Sequence, residues 1–375
     1  MAFIFSALAV TFLVTLLLIR GNLARNRGQR HMLATRRAGW VRPSHLRGLG
    51  RAGGIGIAAG LLVSLLVRLG DDAPGAHEAA SMGVLLLVAA APIFCAGLVE
   101  DFLQGLSIWL RMTAAVCSAT AAGLMLGAWV DRVDIEVLAP VLALPLVSIL
   151  FTCFAVAGIA NAFNLIDGFN GLAGGVAVLI LLGIAYVAFK AGDVSILACS
   201  LTAVGAITGF MLLNYPRGLI YMGDGGAYLI GFWIAALLVL LVARNSAVSA
   251  WFPVLVCSYP IFETLFTIYR RVVIRRTHPG LPDVAHLHHL VYKRLVRWLI
   301  GTHLAAHRTQ RNALTSPYLW TVAGAGVVPA TLFWNNTLAL QVGCAMFAVA
   351  YVVTYSRIAR FRSPRWLVLR KIRDD

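Results

Sequence analysis

Four groups of polar residues stand out in an otherwise apolar chain. Glu100-Asp101 follows Gly97-Leu-Val and sets two adjacent carboxylates at the end of an apolar stretch. Adjacent carboxylates suit a divalent cation or a phosphate-handling site better than structural work, although a solvated helix end is the ordinary alternative. Asn161-Ala-Phe-Asn164-Leu-Ile-Asp167-Gly168-Phe-Asn170-Gly171 repeats a polar group at every third position, which on a helical turn aligns them along one stripe. Helix-packing amides account for one or two of these four residues and not for the whole register.

The third group joins Asn214-Tyr-Pro216 to Tyr221-Met-Gly223-Asp224-Gly225-Gly226. An acid between glycines at a helix start can ligate a metal beside backbone N–H groups that face phosphate, or can act as an ordinary N-cap. The fourth, Asp283-Val-Ala-His286-Leu-His288-His289, precedes Lys293, Arg294 and Arg297. Imidazoles with nearby basic groups suit phosphate recognition, with a transition-metal site or a solvated helix face as the alternatives. Ser44-His45 and Arg51-Ala-Gly-Gly54 lie in a basic segment that by itself reads as a membrane-surface loop.

The elements that must position these groups are membrane helices. Of 375 residues, 60 % are hydrophobic and 12 % charged, against about 45–50 % and 25 % in ordinary soluble domains. The net charge of +16 excludes neither class alone, but with this hydrophobicity it excludes a disordered chain and disfavours a nucleic-acid binder. Eleven stretches approach the roughly 20 apolar residues a span requires: 2–19, 53–69, 82–99, 112–128, 138–160, 172–189, 195–213, 226–242, 250–268, 316–333 and 337–355. The first is followed by Arg20 and a basic loop instead of a cleavage site, so it reads as a helix and not as a signal peptide.

These stretches divide the loops between two faces. One face gathers 27 of the 31 Lys and Arg residues and carries a net +20; the other keeps Arg68, Arg132, Lys190 and Arg244 among seven acids. Positive loops stay cytoplasmic, so the expectation is an all-α polytopic bundle with a periplasmic N-terminus and a cytoplasmic C-terminus. All four polar groups fall on the cytoplasmic edge. The chain reads as a single membrane-embedded domain over 1–375, with motifs from 44 to 297 and C-terminal helices and a basic tail over 316–375. The six cysteines lie in apolar stretches without a CxxC pair and read as buried hydrophobes.

Carboxylates and amides among Arg, His and Lys on one membrane face are the layout for Mg²⁺-assisted chemistry on an anionic diphosphate. In order and spacing the groups resemble the polyprenyl-phosphate N-acetylhexosamine-1-phosphate transferases, which include the phospho-N-acetylmuramoyl-pentapeptide transferase and the bacterial undecaprenyl-phosphate GlcNAc-1-phosphate transferases. Ser44-His45 through Gly54 is similar to that family's SH…PRGGG stretch, with Gly48, Gly50 and Ala52 departing. Glu100-Asp101 matches its Asp-Asp, Asn161 to Leu172 its NAxNxxDGxDGL, Asn214 and Gly223-Asp224 its N…GDxG, and His286-Leu-His288-His289 its histidine motif. Glu100 and Asn170 replace aspartates, as in the branch that starts O-antigen or capsule-type glycans in Gram-negative bacteria. Eleven spans with the C-terminus inside is similar to the GlcNAc branch.

The resemblance implies transfer of a sugar-1-phosphate from a UDP-sugar to undecaprenyl phosphate at the bacterial inner membrane, releasing UMP. It implies Mg²⁺ as cofactor, with Mn²⁺ as a substitute, and leaves a homodimer open. By the same resemblance Asp224 and Asp101 are metal ligands, and Glu100, Asp101 and Asp167 are the catalytic acids. Asn161, Asn164, Asn170, Asn214, Arg111, His286, His288, His289 and Arg51 are substrate contacts. Asn170 carries no charge and cannot be an essential acid or base.

A transporter or lipid scramblase is the rival class. Transporters hold substrate near the membrane midplane, where this sequence places only Glu263, as readily a hydrogen-bonded buried acid as a functional one. The orientation has a direct check. Single cysteines introduced between 269 and 315 should react with a membrane-impermeant thiol reagent only after the inner membrane is opened; labelling in intact spheroplasts would reverse the topology.

Overall fold

The computed structural model describes residues 1–33, 49–274, 276, 285–296 and 308–360. Fourteen α-helices run through these residues, and no strand occurs among them. The first nine are α1 (Ala2–Leu33), α2 (Gly53–Leu69), α3 (Ala76–Leu103), α4 (Ile108–Leu126), α5 (Ala139–Leu142), α6 (Pro145–Ile166), α7 (Leu172–Ala191), α8 (Val194–Asn214) and α9 (Gly223–Arg244). After them come α10 (Phe252–Val256), α11 (Ser258–Tyr269), α12 (Leu287–Val291), α13 (Arg308–Leu332) and α14 (Thr337–Ala359). The protein is an all-helical polytopic membrane protein.

Among the described residues, eight helices are long and apolar enough to cross a membrane: α1, α3, α4, α6, α7, α8, α9 and α14. Of the other three expected spans, 53–69 is the shorter apolar helix α2. The 316–333 stretch lies inside α13, whose first turns hold Arg308, Gln310 and Arg311. The 250–268 stretch breaks at Cys257 into α10 and α11. Pro253 and Pro260 each sit in a first helical turn, where a missing N–H costs nothing, so two short helices accommodate what one long one would not.

Two boundaries differ from the sequence expectation in ways that matter for the site. The fifth span starts at Pro145 and not at 138, because the residue before a proline is pushed out of the helical region; Leu144 is extended at φ −76°, ψ 119°. It ends at Ile166 and not at 160, so Asn161 and Asn164 are helical residues and not loop residues.

The helix α9 is apolar on all sides and buried almost throughout, which places it at the centre of the bundle. It packs against α3 and α6, with α2, α4, α7 and α8 also in contact. Its N-terminus approaches its neighbours closely. A Cβ on Gly97 of α3 would come within 2.5 Å of the Gly225 Cα, and Gly54 of α2 abuts Gly226 just as tightly. Small residues at such crossings let helix backbones meet without side chains between them. Replacing Gly97 with Val should therefore cost about 1–3 kcal/mol, the scale of overpacking in a core, read as a lower unfolding midpoint of the detergent-purified protein; an unchanged midpoint would mean that this crossing does not fix the bundle.

Candidate active site at the N-terminus of the central helix

Every described polar group singled out in the sequence sits at one end of the bundle, around the first turn of α9. Asp101, in the last turn of α3, is fully buried. Its Oδ1 accepts a hydrogen bond from the Asp224 N–H and its Oδ2 one from the Gly225 N–H, both at 2.9 Å. These N–H groups have no partner inside a helix, and a carboxylate there also meets the positive end of the helix dipole. Gly223 takes φ +78°, and a side chain on it would strike the Arg51 carbonyl and the Asp101 carboxylate. Only glycine fits.

A short backbone pairing brings in the N-terminal motif. The Tyr221 N–H donates to Gly50 O at 2.9 Å, while the Gly53 and Gly54 N–H groups donate to Tyr221 O and Met222 O. Arg51 is thereby held 3.9 Å from the Asp101 Oδ1 with nearly half its side chain exposed. Ser44-His45 and Arg297 lie outside the described residues.

Asp224 itself points elsewhere. Its carboxylate is partly exposed and lies 3.7 Å from the Arg111 guanidinium, with the Asn164 side chain nearby. Arg111 also lies near Tyr228, one turn along α9. Arg111 gets there because Glu100 shapes the turn between α3 and α4: its Oε2 accepts from the Gly105 N–H at 3.2 Å and the Leu106 N–H at 2.7 Å.

The helix α6 delivers Asn161 and Asn164 on successive turns, both partly exposed, and Asp167 follows its last residue. The Asp167 carboxyl is pushed up to about 7, chiefly by burial and then by the negative charges of Asp224 and Asp101, against the opposing pull of Arg51. The three aspartates thus share one electrostatic site.

The expected stripe of four polar residues ends at Asp167. Gly171 turns the chain at φ +75°, and Asn170 is buried with its side chain directed into the protein. The Asn170 Nδ2 donates to Pro216 O at 3.1 Å, its N–H donates to Asn312 Oδ1, and its carbonyl accepts from Ser316 Oγ. Asn214 is similarly occupied, its Oδ1 accepting from the Gly171 N–H at 2.6 Å and its Nδ2 donating to Ile220 O at 2.7 Å. Both residues brace the 167–171 and 214–222 loops against each other and against α13.

The histidine segment closes over this brace. His288 and His289 pack edge-on against Phe169 at ring distances of 5.6 and 5.7 Å, and His288 Nε2 would lie 3.2 Å from a Cβ on Gly168. His286 and His288 are buried, and their rings stack at 5.1 Å.

Oxygen donors dominate the centre. No set of three His, Cys, Asp or Glu side chains converges as a metal cluster among the described residues, which leaves the histidines without the geometry of a zinc site. The Asp224 and Asp167 carboxylates with the Asn164 amide fit Mg²⁺, a cation that takes one or two protein carboxylates and completes its shell with water and substrate phosphate. Asp101 fits less well, since both its oxygens already accept helix N–H groups.

Residues 83–242 match the sequence family described as glycosyl transferase family 4. That segment contains Glu100, Asp101, Arg111, the 161–170 motif, Asn214 and Asp224, while Arg51 and the histidines lie outside it. The chain is 37 % identical over 139 residues to a probable undecaprenyl-phosphate N-acetylglucosaminyl 1-phosphate transferase of Bacillus subtilis, covering 37 % of this chain and 38 % of that protein. It is 28 % identical over 341 residues to the decaprenyl-phosphate N-acetylglucosaminephosphotransferase of Mycolicibacterium smegmatis, covering 85 % and 80 %. A phospho-N-acetylmuramoyl-pentapeptide-transferase of Lactobacillus delbrueckii subsp. bulgaricus is 28 % identical over 235 residues, covering 58 % and 71 %.

Sequence reasoning missed Asn312, Ser316 and Trp320 of α13, whose indole donates to Gly171 O at 3.1 Å. Polar residues in an otherwise apolar helix were the available signal. The site makes one pH-dependent prediction. A carboxyl raised to about 7 costs stability as the pH rises through the range where the unfolded chain ionises and the folded one does not, so this cost is absent below about pH 4, where both are protonated, and complete above about pH 7. In chelator-treated buffer, Asp167→Asn should raise the unfolding midpoint by about 2–4 °C near pH 8 and by less than half as much near pH 5. Equal shifts at both would mean that charge is not the cause.

Proposed function

We propose that this protein transfers a sugar-1-phosphate from a UDP-sugar to undecaprenyl phosphate, with N-acetylhexosamine-1-phosphate as the moiety transferred. The products are undecaprenyl-diphosphate-sugar and UMP. The observation that carries the reading is the convergence of Asp224, Asp167, Asn164, Arg111 and Arg51 at one end of a membrane helix bundle, within or beside the family 4 segment. The names of the related proteins support the same reaction class.

In this reaction an oxygen of the lipid phosphate attacks the sugar-bearing phosphorus of the UDP-sugar. The bond from that phosphorus to the bridging oxygen breaks, and UMP departs with the electron pair. No proton has to move, because a phosphate monoester is already largely ionised near neutral pH. The work left to the protein is to hold two anions together and to spread the charge on the leaving group.

Asp224 and Asp167, with Asn164, would hold Mg²⁺ or in its place Mn²⁺. When bound, that cation would neutralise the diphosphate and the charge growing on UMP. Arg111 and Arg51 flank the same carboxylates and would receive phosphate oxygens as the substrates enter. Asn161 would extend the polar stripe toward the nucleotide. His288 and His289 would meet the sugar phosphate from the Phe169 side. Asp101 and Glu100 serve this chemistry by fixing the first turn of α9 and the turn before α4, and Asn170 and Asn214 serve it by bracing two loops. The excess of Lys and Arg on this end supports an active site facing the cytoplasm of a bacterial inner membrane, in contact with anionic lipid.

Purified protein with Mg²⁺, undecaprenyl phosphate and a panel of UDP-sugars should release UMP, and Asp224→Ala should lower the rate by at least about 100-fold, the scale of removing one transition-state charge partner. Silence of the native protein across the panel would sink the enzyme reading and leave a transporter or scramblase. Near-native turnover by Asp224→Ala would remove that residue from the cation set.

A further inference from the structure

Glu263 is the acid that the proposed chemistry leaves unused. It lies on α11, 1 % exposed, and a buried carboxylate in an apolar helix is costly unless every lone pair finds a donor. All its partners belong to the histidine segment or to the C-terminal helix. Its Oε1 accepts from the Leu287 N–H, the first residue of α12, at 2.9 Å and faces His286 Nδ1 at 3.4 Å. Its Oε2 accepts from the Tyr351 hydroxyl of α14 at 2.8 Å. One turn along α11, Thr267 Oγ1 lies 3.1 Å from the same His286 nitrogen.

Neighbouring groups act on the adjacent carbonyl. Ala285 O accepts from the Tyr355 hydroxyl at 2.8 Å and from Arg270. The chain at 285–287 is thus fixed at a carbonyl, a ring nitrogen and an amide, all by side chains of α11, the turn after it and α14. His286 in turn stacks on His288 with only 9° between ring planes, and His288 leans on Phe169 beside Asp167.

We propose that Glu263 is a positioning residue for the transferase site: it holds the His286 ring and the start of α12 so that His288 and His289 stand over the Asp167–Phe169 loop. The carboxylate and the Thr267 hydroxyl both face Nδ1, which fixes the ring's rotation as well as its place. Tyr351 secures the carboxylate from behind. The proposal rests on the transferase reading for its effect on rate and on geometry alone for its effect on the histidines.

The test uses the full-length protein in detergent micelles with undecaprenyl phosphate. Glu263→Gln keeps the size of the side chain and removes its charge; turnover should fall roughly 10–100-fold, the range that follows loss of a partner orienting a site group. Tyr351→Phe should lower it less. His286→Asn combined with Glu263→Gln should lose less than the product of the two single losses, because the carboxylate acts in large part through that ring; fully multiplied losses would assign Glu263 to general stability and overturn the proposal.

A second readout is independent of activity. Modification of His286 by diethylpyrocarbonate, followed by mass spectrometry, should be slow in the native protein and several-fold faster in Glu263→Gln at unchanged unfolding midpoint. Equal protection in both would overturn the proposal even if the enzyme is active. Faster modification in a protein inactive on every UDP-sugar would uphold the anchoring and retire the transferase reading instead.

Discussion

The carboxylate of Asp101 on two of the free N–H groups at the start of α9 is the contact on which the site depends. A helix N-terminus buried in a bundle carries donors that cannot reach water, and an anion there satisfies them while meeting the helix dipole. Because the donors belong to Asp224 and Gly225, the same contact that seals the helix sets the position of the Asp224 side chain. It also explains the glycines around it. Gly223 must turn at positive φ, and Gly54 and Gly97 must let α2 and α3 come up against Gly226 and Gly225. Substituting any of these positions pushes the helix start away from its acid.

Around that centre the polar residues separate into two kinds. Asp224, Asp167, Asn164, Arg111 and Arg51 keep part of their surface open and share one electrostatic site, as the effect of three aspartates and Arg51 on one another makes plain. Asp101, Glu100, Asn170 and Asn214 use their oxygens and amides on backbone groups of adjoining turns. A motif in sequence contains both kinds without distinguishing them. In a bundle whose interior offers no water, loops at the membrane edge must find their hydrogen bonds within the protein, and side-chain amides are the natural source.

The C-terminal third of the chain takes part through support. The helix α13 provides Asn312, Ser316 and Trp320 to the 170–171 turn, and α14 provides Tyr355 to the histidine segment and Tyr351 to Glu263, which holds that segment. None of these falls within the 83–242 family 4 segment. The portion that carries most of the acids is therefore completed by elements far along the chain, and the histidine segment that packs on Phe169 is held by side chains of α11 and α14.

What the sequence determined by itself was the class of the protein and the identity of its polar groups. Sixty per cent apolar residues in long runs leave no soluble core large enough to hide them, and acids so rare in an apolar chain mark themselves by their cost. Helix ends at prolines were readable in principle at Pro145, although the apolar run obscured them. Only the tertiary structure decided which of those groups face outward. Asn161, Asn164, Asp167 and Asn170 have one spacing in sequence, yet α6 stops at Ile166, and the last of them leaves the helical stripe and is buried. Glu100 and Asp101 are neighbours, yet one caps a turn and the other a helix. Orientation depends on where a helix stops and what its neighbour leaves unsatisfied, and both are set by packing partners that lie tens to hundreds of residues away.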